Sequence, residues 1–330
     1  MLRYLQNVLH PERYHGNGRT EGPFFEGWYF KLVDASTHTR LAIIPGVFLG
    51  APGAGSEAFV QVLNGATGQS VYHRYPAEAF AAAPNAFEVS VGPNYFSADR
   101  IQLELDSEHQ KLSGKVQFAG LRPWPVTLMS PGIMGWYGWL PVMECYHGVV
   151  SLDHAISGQL SIDGVAHDFS GGRGYIEKDW GEAFPTAYIW MQTNHFSTVG
   201  TSLTASVAVI PWRRTSFVGF IVGLFHNGIL HRFATYTGAK IELLALSDDH
   251  VEWRMRDRRL RLTLRATRER GGMLHAPVRT EMHRRVDETM LSRVEVTLAE
   301  TTGGQHILLQ DTGHVAALEV HGEVERLIKL

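Results

Sequence analysis

The stretch Gly174-Tyr-Ile-Glu-Lys-Asp-Trp-Gly181, continued through Phe184-Pro185 by Tyr188-Ile-Trp-Met-Gln-Thr-Asn-His195, decides how this 330-residue chain is read. Side chains of a strand alternate between two faces. By that period Tyr188, Trp190, Gln192 and Asn194 share one face, and Ile189, Met191, Thr193 and His195 share the other. A solvated strand face normally carries Lys, Glu or Thr. Aromatic rings in series with amides suit the wall of a cavity around an amphipathic ligand. The same pattern also fits a core strand whose amides are hydrogen-bonded.

Outward from this stretch the chain continues as β-prone runs separated by turn chemistry. Phe24-Phe-Glu-Gly-Trp-Tyr-Phe-Lys31 follows a breaker-rich lead-in loop over residues 10–23 and puts Glu26, Trp28 and Phe30 on one face. A glutamate beside a tryptophan on an inner face is desolvated, which raises its pKa and keeps a proton available; pairing with an arginine is the competing expectation. Further strands are expected at 41–48, 58–63, 87–91, 101–105 and 112–118, with Gly- and Asn-rich turns between them. Pro76–Pro84 is Ala-rich but fenced by prolines, which leaves room for a short helix at most. Downstream, Asp163-Gly164 and Asn227-Gly228 are two-residue hairpin signals, and strands recur to residue 310. Residues 316–330 fit a last strand or a short helix.

Composition bounds the functional classes. With 44% hydrophobic and 19% charged residues the chain is an ordinary globular one, and its formal charge of −3 draws it to no polyanion. In the basic run 254–270, Arg259, Arg261 and Arg265 alternate with Leu260, Leu262 and Leu264, which describes a half-buried strand with a solvated face and lacks the interleaved aromatics of a nucleic-acid groove. The lone Cys145 allows no intrachain disulfide, and the first eleven residues hold no uninterrupted apolar core of leader length, so the default expectation is cytoplasmic.

Residues 122–141 carry four prolines together with Trp124, Trp136, Tyr137 and Trp139, an aromatic loop of the kind that lines or covers a site. Immediately after it, Met143–His154 reads as a strand entering a hairpin, with Ser157–Ile162 and Val165–Phe169 joined at Asp163-Gly164. Glu144 and His147 suggest a metal site, but residues three apart on a regular strand face opposite ways and could share an ion only across a bulge. No metal-ligand spacing occurs elsewhere among the seventeen histidines, and no metal is expected.

The acidic-aromatic pattern around Trp28-Tyr29 returns around Trp180, each opening a β-rich stretch. This predicts an all-β protein of two antiparallel barrel or sandwich modules packed together: 1–178, with the aromatic loop, and a C-terminal module at 179–330. It also places the stretch 174–195 at their junction.

Tyr14-His-Gly16, Phe24-Phe-Glu-Gly-Trp-Tyr-Phe-Lys31, Gly174–Gly181, Phe184-Pro185 and Trp190-Met-Gln-Thr-Asn194 closely resemble the tocopherol cyclase family in its bacterial branch, in the same order along the chain. More distantly the family is similar to carotenoid hydratases and related proteins with paired lipocalin-like modules. The resemblance implies that both modules here are lipocalin-like, and it implies a cofactor-independent cyclase acting on a prenylated hydroquinone or related isoprenoid, with no redox step.

Closing a chromanol ring requires protonation of a trisubstituted alkene and capture of the tertiary cation by a phenol oxygen. Such chemistry needs a carboxylic acid kept neutral, π faces for the cation and a polar group to orient the phenol. The candidates are Asp179, then Glu26 and Glu144, for the acid; Trp190, Trp28 and Tyr188 for the cation; and Gln192, Asn194 and His147 for the phenol. Asp179 has a competing role in capping backbone amides. A lipocalin-like carrier that holds a hydrophobic isoprenoid or lipid without transforming it is the second class. Transient contact with a membrane is one route by which either could collect its ligand.

Overall fold

The computed structural model describes residues 7–301 and 306–328. Residues 1–6, part of the stretch read for a leader, and the last two residues of the expected closing element lie outside the described residues. Of these, the first unit takes residues up to Phe184 together with Met273–Arg285, and the second takes Pro185–Gly272 and the residues from Val286.

In the first unit the strands are β1 (Phe24–Val33), β2 (Arg40–Leu49), β3 (Glu57–Asn64), β4 (Ser70–Pro76), β5 (Phe80–Ala82), β6 (Glu88–Val91), β7 (Asn94–Ser97), β8 (Arg100–Asp106), β9 (Lys111–Ala119), β10 (Cys145–Ile162), β11 (Val165–Asp168) and β12 (Arg173–Gly181). They form one antiparallel sheet in the order β4-β3-β2-β1-β12-β10-β9-β8-β7-β6-β5, with β11 beside β10. Within β1–β4 and within β5–β11 each strand pairs with the next in sequence, and the first and last strands, β1 and β12, pair with one another. Trp28, Phe30 and Leu32 of β1 and Ile176 of β12 point into a core with Val60, Val62 and Phe96.

The second chain half forms β13 (Ala187–Thr193), β14 (Ser202–Trp212), β15 (Thr215–His226), β16 (Ile229–Ala234), β17 (Lys240–Leu246), β18 (His250–Arg256), β19 (Leu260–Thr267), β20 (Gly272–Pro277), β21 (Met282–Glu300) and β22 (Ile307–Gly322), then the short helix α1 (Glu325–Ile328). Their antiparallel order is β16-β15-β14-β13-β22-β21-β19-β18-β17, with β20 beside β21. Again the first and last strands of the set, β13 and β22, pair. Ile189 and Met191 of β13 enter a core with Val207, Trp253, Leu262 and Leu264. On the opposite side of β19, Arg261 binds Glu242 at 2.8 Å, as does Arg256. The alternating basic run is therefore a strand with an ion-paired outer face.

The all-β expectation holds, with two antiparallel sheets and almost no helix among the described residues. Both two-residue turns adopt the backbone they need: Asp163 and Gly164 have φ of 50° and 85°, and Asn227 and Gly228 have 48° and 79°. Residues 316–330 contain both expected alternatives, a strand to Gly322 and then α1. Three expectations are corrected. The break expected after 178 would cut β12, which pairs on both sides with first-unit strands, so the division falls after Phe184 and the segment 273–285 returns to the first unit. The strands expected at 143–154 and 157–162 are one: β10 runs unbroken for 18 residues, bending through bulges between Val149 and His154, and the expected hairpin at Asp163-Gly164 joins it to β11. Lastly, Glu26-Gly-Trp28 and Lys178-Asp-Trp180 do not mark two modules. They are antiparallel neighbours in one sheet, Glu26 opposite Trp180 and Trp28 opposite Lys178.

Candidate functional site

β12 is charged on both faces, and its two neighbours decide what each face does. Ile176, Lys178 and Trp180 point toward the core of the first unit, leaving Tyr175, Glu177 and Asp179 on the other face. On β10, His147 stands opposite Asp179, and Val149 stands opposite Glu177. The imidazole is thus held between two carboxylates. Its Nδ1 donates to Asp179 Oδ1 at 2.8 Å, and its Nε2 lies 3.5 Å from Glu177 Oε2. That Nε2 is buried and makes no hydrogen bond. Tyr175 extends the row by donating its hydroxyl to the same Glu177 oxygen at 2.5 Å.

Burial of His147 would lower its pKa, but attraction to Asp179 and Glu177 and the Nδ1 hydrogen bond outweigh it and push the imidazole up to about 9. At neutral pH it therefore carries a proton between two carboxylates. The side chains of His147 and Asp179 keep 14% and 25% of their surface exposed, so the group is shielded yet reachable. Beside it, burial first and then Asp179 and Glu144 push the Cys145 thiol well up, leaving it un-ionised.

Two glycines let the strands approach. A Cβ on Gly174 would lie 2.2 Å from His154 Nε2, and one on Gly181, whose φ is 150°, would lie 2.2 Å from the Glu144 carbonyl oxygen. The ligand atoms of His147, Glu177 and Asp179 all fall within 4.8 Å of one another, close enough for the three to hold a metal ion. The imidazole, however, meets Asp179 with one nitrogen and Glu177 with the other, which is the arrangement of a proton relay.

Of the expected residues, Asp179 and His147 come together here. Glu144 does not: Arg279 takes it at 2.9 Å and also holds Glu182. Glu26 lies on the core-facing side of the sheet, fully buried, and its partner is a lysine where an arginine was the competing expectation, with Lys178 Nζ 2.6 Å away. Burial pushes the Glu26 carboxyl up and the Lys178 ammonium down, and their mutual attraction opposes both shifts. Trp28 is in that core too, its ring stacked on Phe87 at 5.6 Å.

In the second unit, Tyr188, Trp190, Gln192 and Asn194 are all buried while Ile189 and Met191 fill the core, so the expected alternation is present. Tyr188 donates to Glu319 at 2.7 Å, and Glu319 stands opposite Trp190 in the register with β22. Sequence reasoning passed over Glu177, Tyr175 and Lys178. The first two were within reach, since Tyr175, Glu177 and Asp179 share a face by period two; their meeting with His147 depends on the β10–β12 register.

Comparison with known proteins agrees with this architecture. The chain resembles a crystal structure of CghA with Sch210972 at a TM-score of 0.56 and 11% identity, covering 91% of this chain and 89% of that one, a likeness of fold. Over 117 residues it is 27% identical to a probable chloroplastic tocopherol cyclase of Oryza sativa subsp. japonica, and over 110 residues 27% identical to the chloroplastic tocopherol cyclase of Zea mays. These alignments take in 34% and 32% of this chain but 25% and 23% of the plant proteins. The profile of the tocopherol cyclase-like family matches residues 102–322, a span that contains β10, β12 and β13 with His147, Glu177 and Asp179. With two thirds of its length and the acid–base group inside that match, the chain belongs to the tocopherol cyclase-like family.

Proposed function

We propose that this protein is a cofactor-independent acid–base enzyme that closes a chromanol ring on a prenylated hydroquinone or related isoprenoid phenol, at the face of β12 that carries Asp179. The observation that carries the proposal is the His147 imidazole between the carboxylates of Asp179 and Glu177 on a shielded strand face. When substrate expels water, an ion pair loses its solvation and the neutral pair gains on it. The His147 proton then passes along the 2.8 Å hydrogen bond to Asp179, and the neutral carboxyl protonates the alkene at its CH carbon. The phenol oxygen captures the resulting tertiary cation, and its proton returns to the relay through Glu177 and His147. One proton enters at carbon and one leaves oxygen, so the product is an isomer of the substrate.

On the second unit, the face of β13 with Tyr188, Trp190, Gln192 and Asn194 offers ring faces and amides of the kind that hold an isoprenoid phenol. Collection of a prenylated substrate by transient membrane contact suits residues 123–143, a stretch without a charged residue in which Leu128 and Met129 are 70% and 85% exposed. No described helix is long and apolar enough to cross a membrane. Cytoplasmic residence completes the proposal.

The test is incubation of purified protein with a series of prenylated hydroquinones, following the isomeric chromanol by chromatography. Conversion that is lost in His147→Ala supports the enzyme. Tight binding of every quinol without conversion assigns the protein to the carriers instead.

A further inference from the structure

We propose that the buried Glu26–Lys178 pair is a positioning device: it fastens the lead-in segment 12–16 against the core-facing side of β12 and thereby sets the geometry of the relay on the other side. The proposal rests on the relay described above. Lys178 is flanked by the two relay carboxylates, Glu177 and Asp179, and points away from both. Its ammonium lies 2.6 Å from Glu26, donates to the Arg13 carbonyl, and sits over the rings of Trp180 and Trp28 at 4.4 and 5.2 Å. Glu26 in turn accepts from the backbone N–H groups of His15 at 2.9 Å and Gly16 at 3.1 Å, and Trp28 Nε1 donates to the Glu12 carbonyl at 3.0 Å. Four backbone groups of the segment are therefore held by side chains of β1 and β12.

The fastening reaches the relay through its immediate neighbours. Trp180, next to Asp179, stacks on Tyr146, next to His147, with ring centres 5.4 Å apart and planes 9° from parallel; His15 meets the same indole edge-on at 4.3 Å. The residues adjoining both partners of the 2.8 Å His147–Asp179 bond are thus packed together on the reverse of the sheet. A buried ion pair is a weak source of stability, since apolar residues of like volume often do as well. Its charged hydrogen bonds do constrain where the segment and the strand sit. Lys178 is also attracted to Asp179, so the pair acts on the relay by charge as well as by position.

The test uses Glu26→Gln/Lys178→Met, which removes both charges at similar volume, alongside the conservative Lys178→Arg. Folding is followed by circular dichroism, the His147 ring by nitrogen-15 NMR titration, and turnover with a prenylated hydroquinone. The groups facing His147 that enter the titration are Asp179, Glu177, Tyr175 and Cys145. The expected result is a folded double variant whose His147 midpoint falls by about one unit or more, and whose kcat drops about tenfold or more at a KM within about twofold of wild type, with Lys178→Arg recovering part of the midpoint. A folded double variant with His147 midpoint and kcat both unchanged overturns the proposal. The NMR arm needs no substrate: a wild-type protein that turns over no quinol, but whose His147 midpoint moves in the double variant, retains the positioning pair and loses the cyclase reading.

Discussion

β12 and β13 are consecutive strands of similar length with opposite economies. β13 separates its roles by face: Ile189 and Met191 fill the core of the second unit, while Tyr188, Trp190, Gln192 and Asn194 occupy the other side. β12 is charged on both faces, with the relay carboxylates on one and the Glu26–Lys178 pair on the other. In β13 each side chain can be assigned from the strand's own pattern. For β12 the same charges acquire their meaning from strands far away in sequence, Glu26 on β1 and His147 on β10. Chemistry that depends on cross-strand register needs two neighbours to be known, whereas which side chains of a strand enter the core follows from alternation alone.

The comparison breaks most sharply at the relay. Asp179→Asn and His147→Ala are each expected to lower turnover of a prenylated hydroquinone by about 10²–10⁴-fold while binding is largely kept. Equal turnover in Asp179→Asn removes that residue from the acid role and leaves β12 a structural strand. Next in size is the pH dependence of folding. His147 has its folded pKa raised to about 9, so its stabilising contribution is complete below its ordinary value and is lost as pH rises through about 9. The span corresponds to about 3 kcal/mol. Urea unfolding at neutral pH and above pH 9 should show a loss of that order in the wild type and a much smaller one in His147→Gln; parallel profiles would mean that the carboxylates do not hold the imidazolium.

A smaller effect probes the core-facing side of β12. Gly174→Ala forces a Cβ onto the buried His154 ring, whose pKa burial lowers to about 3, so the ring stays neutral and cannot leave for water as a cation. Overpacking of this kind costs about 1–3 kcal/mol. Thermal denaturation should show the loss, and His154→Ala in the same chain should recover part of it. The smallest effect belongs to β13. Gln192→Ala or Trp190→Leu should weaken equilibrium binding of a prenylated hydroquinone by about tenfold, as expected for groups that hold a ligand; unchanged binding would return β13 to the role of a core strand.

How much of this was legible follows from the same contrast. The all-β architecture rests on local signals, period-two runs and the turns at Asp163-Gly164 and Asn227-Gly228, and these act over a few residues. The family resemblance drew on contiguous motifs, which are equally local. The partner of Glu26 was not legible, because a lysine 152 positions downstream becomes its neighbour only through β1–β12 pairing. The bend in β10 was hidden for a similar reason: Ser151, Asp153 and His154 look like the end of a strand, but they are absorbed as bulges by a longer strand paired to β12. Glu144 lies three residues from His147 in sequence, but the groups that meet the imidazole, Asp179 and Glu177, lie across the register.

The central claim is that a proton held among His147, Asp179 and Glu177 is delivered to carbon. Turnover in deuterium oxide tests it most directly. Mass spectrometry and NMR of the product should find one deuterium on the ring methylene beside the new quaternary carbon, with incorporation lost along with turnover in Asp179→Asn. Chromanol formed without that deuterium, or formed equally well by Asp179→Asn, would contradict it.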